Sequence, residues 1–281
     1  MALPTVPQDT GNYFGRLLTL VWLSFAQLVR APSHSRRAEA ARRSARHVLL
    51  LVVVTGAVII TLMYLVDAAE ISLMPPRGTP SLWWVRILTD FGKDEHVLWA
   101  LGILLTAVAL AAPALHGVSR ATLLGLGTRL QYLFLSVALS VVTGDVIKWI
   151  VGRGRPFVGG KANAFNFQHF AGTEAYSSFP SGHAITAFAL AFAVSAIWPR
   201  ARIIMLLYAL MIVTTRLVLL AHHPSDVVAG ALVGVVGAMT VRYWFAARRL
   251  GFAIDRDGTV LALSGPSGGR LKRVAGNAFA P

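Results

Sequence analysis

The sequence contains no cysteine. That excludes disulfide bonds, thiolate nucleophiles and cysteine-ligated metals. Charge is scarce as well: Asp, Glu, Lys and Arg make up 14% of the 281 residues, against about a quarter in ordinary soluble domains. Acid is the scarcer sign, with 12 Asp and Glu against 26 Lys and Arg. Apolar residues fill the place of charge, at 56% of the chain and a mean hydropathy of +0.63. Several uninterrupted apolar runs approach the roughly 20 residues that cross a bilayer. The composition is that of a polytopic membrane protein.

A net charge of +14 invites a nucleic-acid reading, but the basic residues lie mostly in the termini and short loops, where they set membrane topology instead. No nucleic-acid partner and no obligate protein partner is expected; membrane lipids are. The expected fold is all-α. Six spans are predicted at about 47–67, 97–115, 127–151, 183–198, 203–221 and 226–247, the fourth being short. They divide the chain into a basic segment (1–46), a six-span domain (47–249) and a flexible basic tail (250–281). No cleavable signal is expected, the first strong span serving as its own insertion signal.

Seven arginines stand between Arg16 and Arg46, and the Arg120/Arg129 loop, the "WPRAR" turn and the tail add more bases on the same side. The opposite side carries most of the acids, including Asp67, Glu70, Asp90, Asp94 and Glu95. The positive-inside rule then predicts both termini in the cytoplasm. Two amphipathic segments, "YFGRLLTLVWLSFAQLV" and "SLWWVRILTDFGK", suit the interface or packing against neighbouring spans.

Three stretches on the acid-rich side carry polar residues that apolar spans do not need. "KWIVGRGRP" holds Lys148, Arg153 and Arg155; "FPSGHA" holds Ser181, Gly182 and His183; "TTRLVLLAHHPSDVV" holds Arg216, His222, His223 and Asp226. Singly, Lys148 can snorkel, Arg153 and Arg155 can meet lipid headgroups, and His183 can sit satisfied at a helix end. Arg216 is different. It stands inside an apolar run, where a central charge costs roughly 2.5–3.5 kcal/mol on insertion scales, so an anion is expected beside it. Lys148, Arg155 and Arg216 together would hold a multiply charged anion. Ser181 suits an N-cap, Gly182 allows close approach, and the helix after them would point its positive end at that anion. His222 and Asp226 are four residues apart. Helical geometry across Pro224 would let the carboxylate accept from one ring nitrogen and free the other. His183 is then left as an acid.

Taken together, Lys148 to Arg155, "PSGH" ending at His183, and Arg216–His222–Asp226 resemble the three signatures of the type 2 phosphatidic acid phosphatase superfamily, which includes bacterial acid phosphatases and vanadium haloperoxidases. The resemblance covers about residues 145–230 by motif. It implies a metal-free, cofactor-free phosphatase acting on a lipid phosphate or diphosphate. In that reading His222 attacks phosphorus, Asp226 orients it, His183 protonates the leaving group, and Lys148, Arg155, Arg216, Ser181 and Gly182 bind the phosphate. Thr215 stands where the family usually has serine. His223 is extra and is assigned no role; Asp145 is expected to balance Lys148. Substrates implied include undecaprenyl diphosphate, phosphatidate, phosphatidylglycerol phosphate and lipid A 1-phosphate, with a bacterial cytoplasmic membrane as the setting and the site facing the periplasm. Alternatives are a phosphotransferase using the same residues, a metal hydrolase with His222 and Asp226 as ligands (disfavoured by three nearby cations), and a non-catalytic lipid-binding protein. The segment 157–178, with Phe165, Phe167, Phe170 and Tyr176, is expected to form a lid that lines an acyl path or merely packs.

Overall fold

The structure is a computed structural model, and it describes residues 12–160, 162–255, 258–263 and 265. Nine α-helices are present among the described residues: α1 (Tyr13–Val29), α2 (His34–Leu65), α3 (Asp67–Leu73), α4 (Trp83–Asp90), α5 (Asp94–Ala111), α6 (Gly117–Val151), α7 (Gly182–Ile197), α8 (Arg202–Val218) and α9 (Pro224–Arg248). Each of the six expected spans falls on one of them. Five helical stretches are long and apolar enough to cross a membrane; α7, with 16 residues, falls below that length. The protein is an integral membrane protein.

α9 is the axis of the bundle, packing against α7, α6 and α2. Its contacts depend on small residues. A Cβ at Gly230 would lie 2.5 Å from the Ser181 carbonyl, one at Gly234 2.4 Å from the Ile185 carbonyl, and one at Gly237 2.2 Å from Ser140 Oγ. Backbones approach this closely in membranes because lipid tails give no hydrophobic drive, and packing must supply the association. The outer helices show the opposite pattern. Leu49, Val53, Val54 and Ile60 of α2, and Trp99, Ile103 and Leu104 of α5, are exposed, as expected of surfaces wetted by acyl chains.

α1 matches the first amphipathic segment. Asn12 caps it by accepting from Gly15 N at 2.9 Å. It lies on the ends of α5 and α9, with Tyr13 donating to Leu110 O at 2.8 Å and Trp244 donating to Leu28 O at 3.0 Å. Leu18, Trp22 and Phe25 stay exposed.

The all-α expectation needs one amendment. Residues Phe252–Ile254 (β1) and Val260–Ala262 (β2) pair antiparallel, Phe252 opposite Ala262. Three-residue strands are too short to leave a period in the sequence. The start of the tail is therefore tied down, with Phe252 buried and its ring 4.8 Å from that of Tyr132. Most of the remaining tail lies outside the described residues.

The helices alternate in direction. The C-terminal ends of α6 and α8 therefore share one end of the bundle with the N-terminal ends of α7 and α9, and this end carries all three polar motifs.

Candidate active site

α6 ends at Gly152, whose φ of 56° is left-handed. A Cβ there would fall 1.8 Å from Gln168 O, so the turn requires glycine. The chain then runs extended and is pinned from both sides. Gly154 N donates to Asn166 O at 2.8 Å, Arg155 N to Ala175 O at 2.9 Å, and Ser178 N to Arg153 O at 3.0 Å. The segment 157–178 thus folds back on the first motif. Its aromatics pack on span ends: Phe165 on Tyr64 at 4.9 Å and Phe170 on Trp149 at 4.8 Å between ring centroids.

Arg155 reaches the third motif, with Nη1 within 3.5 Å of Ala221 O and Nη2 3.4 Å from Glu174 Oε1. Burial lowers its pKa from the usual guanidinium value. Lys148 pairs with Asp145 at 2.8 Å, as expected. Its ammonium also lies against Gly182, where a Cβ would come within 3.1 Å of Nζ. Arg216, in the last turn of α8, donates to Thr89 Oγ1 at 3.0 Å. Thr215 bonds the same hydroxyl at 3.0 Å, so α4 braces the end of α8. His183 sits beside Gly92, whose Cβ would lie 3.3 Å from its ring.

Ser181 N donates to Asp226 O at 2.9 Å, so the second motif touches the third, as Arg155 touches it through Ala221 and Lys148 touches Gly182. The three motifs therefore meet at one place. Ser181 Oγ, His183 Nε2 and Arg216 Nε are buried there without a hydrogen-bond partner among the described residues. Buried polar atoms are ordinarily satisfied, and this cluster of donors is suited to anionic oxygens. Ser181 is the N-cap of α7, but its hydroxyl makes no cap bond.

His222 is 3% exposed, and its Nδ1 lies 2.8 Å from the carbonyl of Ser178. A carbonyl only accepts, so Nδ1 carries the hydrogen and Nε2 keeps its lone pair. Burial, reinforced by Arg216 and Arg155, pushes this imidazole well below its usual pKa. It is a neutral, oriented base.

The expected bond from Asp226 to the His222 ring is not made. α9 begins at Pro224, so His222 precedes the helix and the i,i+4 relation does not hold. Asp226 instead turns back to cap α9, accepting from His223 N at 2.9 Å. It also accepts from Ser178 Oγ at 2.6 Å and Arg153 Nη1 at 2.6 Å. The carboxylate reaches His222 through Ser178, whose hydroxyl it fixes and whose carbonyl orients the ring.

Arg153 likewise departs from the headgroup reading. It is fully buried, bonded to Asp226, to Asp67 Oδ2 at 2.8 Å, to Ser225 Oγ at 2.6 Å and to Ala164 O at 2.7 Å. Asp67 also accepts from Ser225 N at 3.0 Å and from the Ser225 hydroxyl. Asp67, Ser178 and Thr89 were assigned no role from the sequence, and Arg153 was read as a headgroup contact. The one available signal was electrostatic: an arginine flanked by glycines and an acid at a span end on the same side. Nothing in their spacing pairs them. His223 is buried and held at the N-cap of α9.

A family model described as the PAP2 superfamily matches residues 129–250. The lipid A 1-phosphatase of Rhizobium johnstonii is 32% identical over 214 residues, 75% of this chain and 86% of that protein. The lipid A 1-phosphatase of Rhizobium etli is 33% identical over 179 residues, 63% of this chain and 77% of that protein. YbjG of Escherichia coli, which carries the name of an undecaprenyl-diphosphatase, is 32% identical over 59% of this chain and 75% of its own length. No solved structure matches.

Proposed function

The chain belongs to the PAP2 superfamily, and from that premise we propose that it is a phosphatase of lipid phosphates working through a phosphohistidine, without a metal. The observation that carries the proposal is the His222–Ser178 bond, which leaves Nε2 as the free nucleophile among the cations of Lys148, Arg155 and Arg216. In the first step Nε2 forms a bond to phosphorus, the bond from phosphorus to the lipid oxygen breaks, and that oxygen takes its electron pair and a proton from His183. In the second step a water oxygen bonds to phosphorus and loses its proton to His183. The nitrogen–phosphorus bond breaks, and Nε2 recovers its lone pair. The cations hold the non-bridging oxygens and neutralise charge in both transition states. The positive end of α7, with Ser181 and Gly182, faces the same oxygens.

We place α7 as a sixth span, both termini in the cytoplasm and the site at the outer face of a bacterial cytoplasmic membrane, on the distribution of Arg and Lys. For the substrate we favour a glycolipid 1-phosphate of the lipid A type. The support is coverage: likeness to a lipid A 1-phosphatase extends over 75% of this chain, beyond the three motifs. Undecaprenyl diphosphate is the second reading, supported by the similarity to YbjG.

Phosphate release by purified protein from lipid A, undecaprenyl diphosphate, phosphatidate and phosphatidylglycerol phosphate tests both. The expected result is fastest release from lipid A, and loss of nearly all turnover in His222→Ala with substrate binding retained. Turnover persisting in that variant would sink the phosphohistidine, and preference for undecaprenyl diphosphate would select the second substrate. A lipid product that acquires the phosphate in place of water would make the enzyme a transferase.

A further inference from the structure

At the other end of the bundle a second cationic cavity, of about 820 Å³, is walled by α6, α7, α8, α9 and the β1–β2 hairpin. Three arginines face it: Arg129 from α6, Arg202 from the start of α8 and Arg242 from α9. No carboxylate lines it among the described residues. Each guanidinium spends one N–H on a main-chain carbonyl: Arg129 on Leu263 at 2.9 Å, Arg202 on Pro199 at 3.0 Å and Arg242 on Val260 at 2.5 Å. A guanidinium has five N–H donors, so among the described residues most of this donor capacity is left over. Arg242 Nε is buried with no partner among the described residues. Gly265 closes the cavity against Arg129, where a Cβ would overlap the guanidinium.

Position matters as much as charge. Arg242 is 18 residues beyond Pro224, and Arg129 is 19 residues before Lys148. At 1.5 Å per residue these are separations of about 27 and 29 Å, close to the hydrocarbon thickness of a bilayer. The cavity thus lies one membrane thickness from His183 and His222, at the opposite interface. Between the arginines its wall is apolar, with Leu126, Phe192 and Ile197, and Trp198, Leu261 and Leu263 stand exposed at its edge. A soluble anion has no use for such a wall, whereas a phosphate attached to acyl chains does.

We propose that this cavity binds the phosphate headgroup of an anionic phospholipid from the leaflet opposite the catalytic site. The phosphodiester bridges Arg129, Arg202 and Arg242, while the glycerol and first methylenes lie on Leu126, Phe192 and Ile197. Occupancy ties the hairpin to the bundle, because two of the three arginines already hold β2 and its following residue. The proposal does not depend on the catalytic reading.

The test is native mass spectrometry of the full-length protein in detergent with equal amounts of phosphatidylglycerol and phosphatidylcholine. The wild type is expected to retain one phosphatidylglycerol preferentially. Arg202 is exposed at the first turn of α8, so Arg202→Gln should fold normally and weaken retention about fivefold, the worth of one surface arginine to an anionic lipid. The triple variant Arg129→Gln, Arg202→Gln, Arg242→Gln should lose the preference altogether. Arg216→Gln, at the other end, should keep it. Equal retention by wild type and Arg202→Gln overturns the proposal, as does loss in Arg216→Gln alone. Displacement by inorganic phosphate as effective as by phosphatidylglycerol assigns the cavity to a free anion and overturns the lipid.

Discussion

Asp67 and Arg153 are 86 residues apart in sequence and 2.8 Å apart in space, with side chains 0% and 1% exposed. Their pairing ties α3, which precedes every motif, to the chain leaving α6. Arg153 passes the tie to Asp226, and Asp226 to Ser178, whose carbonyl holds His222. Asp67 is the acceptor for Arg153 Nη2 and for the Ser225 N–H and hydroxyl, so truncating it strands buried donors.

Asp67→Ala is therefore expected to destabilise the protein by about 1–3 kcal/mol for each donor left unsatisfied. Asp67→Asn keeps the shape and lets Arg153 bond a neutral oxygen. It should fold, with kcat reduced and KM nearly unchanged, because Asp67 touches the Arg153 network and none of the residues proposed to bind phosphate. Steady-state kinetics beside thermal melting in detergent separates these; a raised KM with kcat intact would place Asp67 at the substrate instead.

The pH profile of activity should show two limbs. In the proposed mechanism His222 must be neutral to attack, and His183 must carry a proton to release the leaving oxygen. Burial and the neighbouring arginines lower the His222 pKa well below 6.5. The acid limb of kcat/KM, where protonation removes the nucleophile, should then lie below the ordinary imidazole range; the alkaline limb is expected in kcat, where bound phosphate offsets the burial and arginine charges acting on His183. An acid limb at or above 6.5 contradicts the His222 assignment.

Glu70, one turn after Asp67, is buried with neither carboxylate oxygen bonded among the described residues. Burial first, then Asp67 and Asp226, raise its pKa from 4.5 to about 7. A raised carboxylate lowers stability as pH rises from the unfolded value through the folded one, because only the unfolded chain ionises freely in that window. Glu70→Gln should stabilise the protein by up to about 2 kcal/mol at pH 8, and the gain should vanish below pH 4.5. Melting temperatures of both proteins across pH 4 to 8 measure this; a constant difference would mean that the effect is not ionisation.

Gly152→Ala should cost about 1–3 kcal/mol and lower activity, since the left-handed turn and the contact with Gln168 O leave no room for a methyl. Gly56→Ala is the contrast. It is helical with open space around it, and should be neutral or stabilising by up to about 1 kcal/mol. Equal effects at both positions would show that turn geometry is not what Gly152 supplies.

Reading along the chain located the helices because an apolar run of span length has few other stable forms in lipid. It drew attention to Lys148, Arg155, His183, Arg216 and His222 because charges and imidazoles at span ends are expensive unless used. It misplaced the partner of His222, since α9 begins at Pro224, two residues after that ring, and Asp226 turns toward the helix end. It was silent on Thr89, which meets Arg216 from another helix.

Hydropathy and charge, being properties of local composition, were enough to set the helical class and to bring three motifs to one end of the bundle. Only the folded chain could pair Asp67 with Arg153, hand the His222 ring to the Ser178 carbonyl and gather three arginines at the far end. Those contacts join residues tens of positions apart, and their geometry exists only after helices with no local signal for one another have packed.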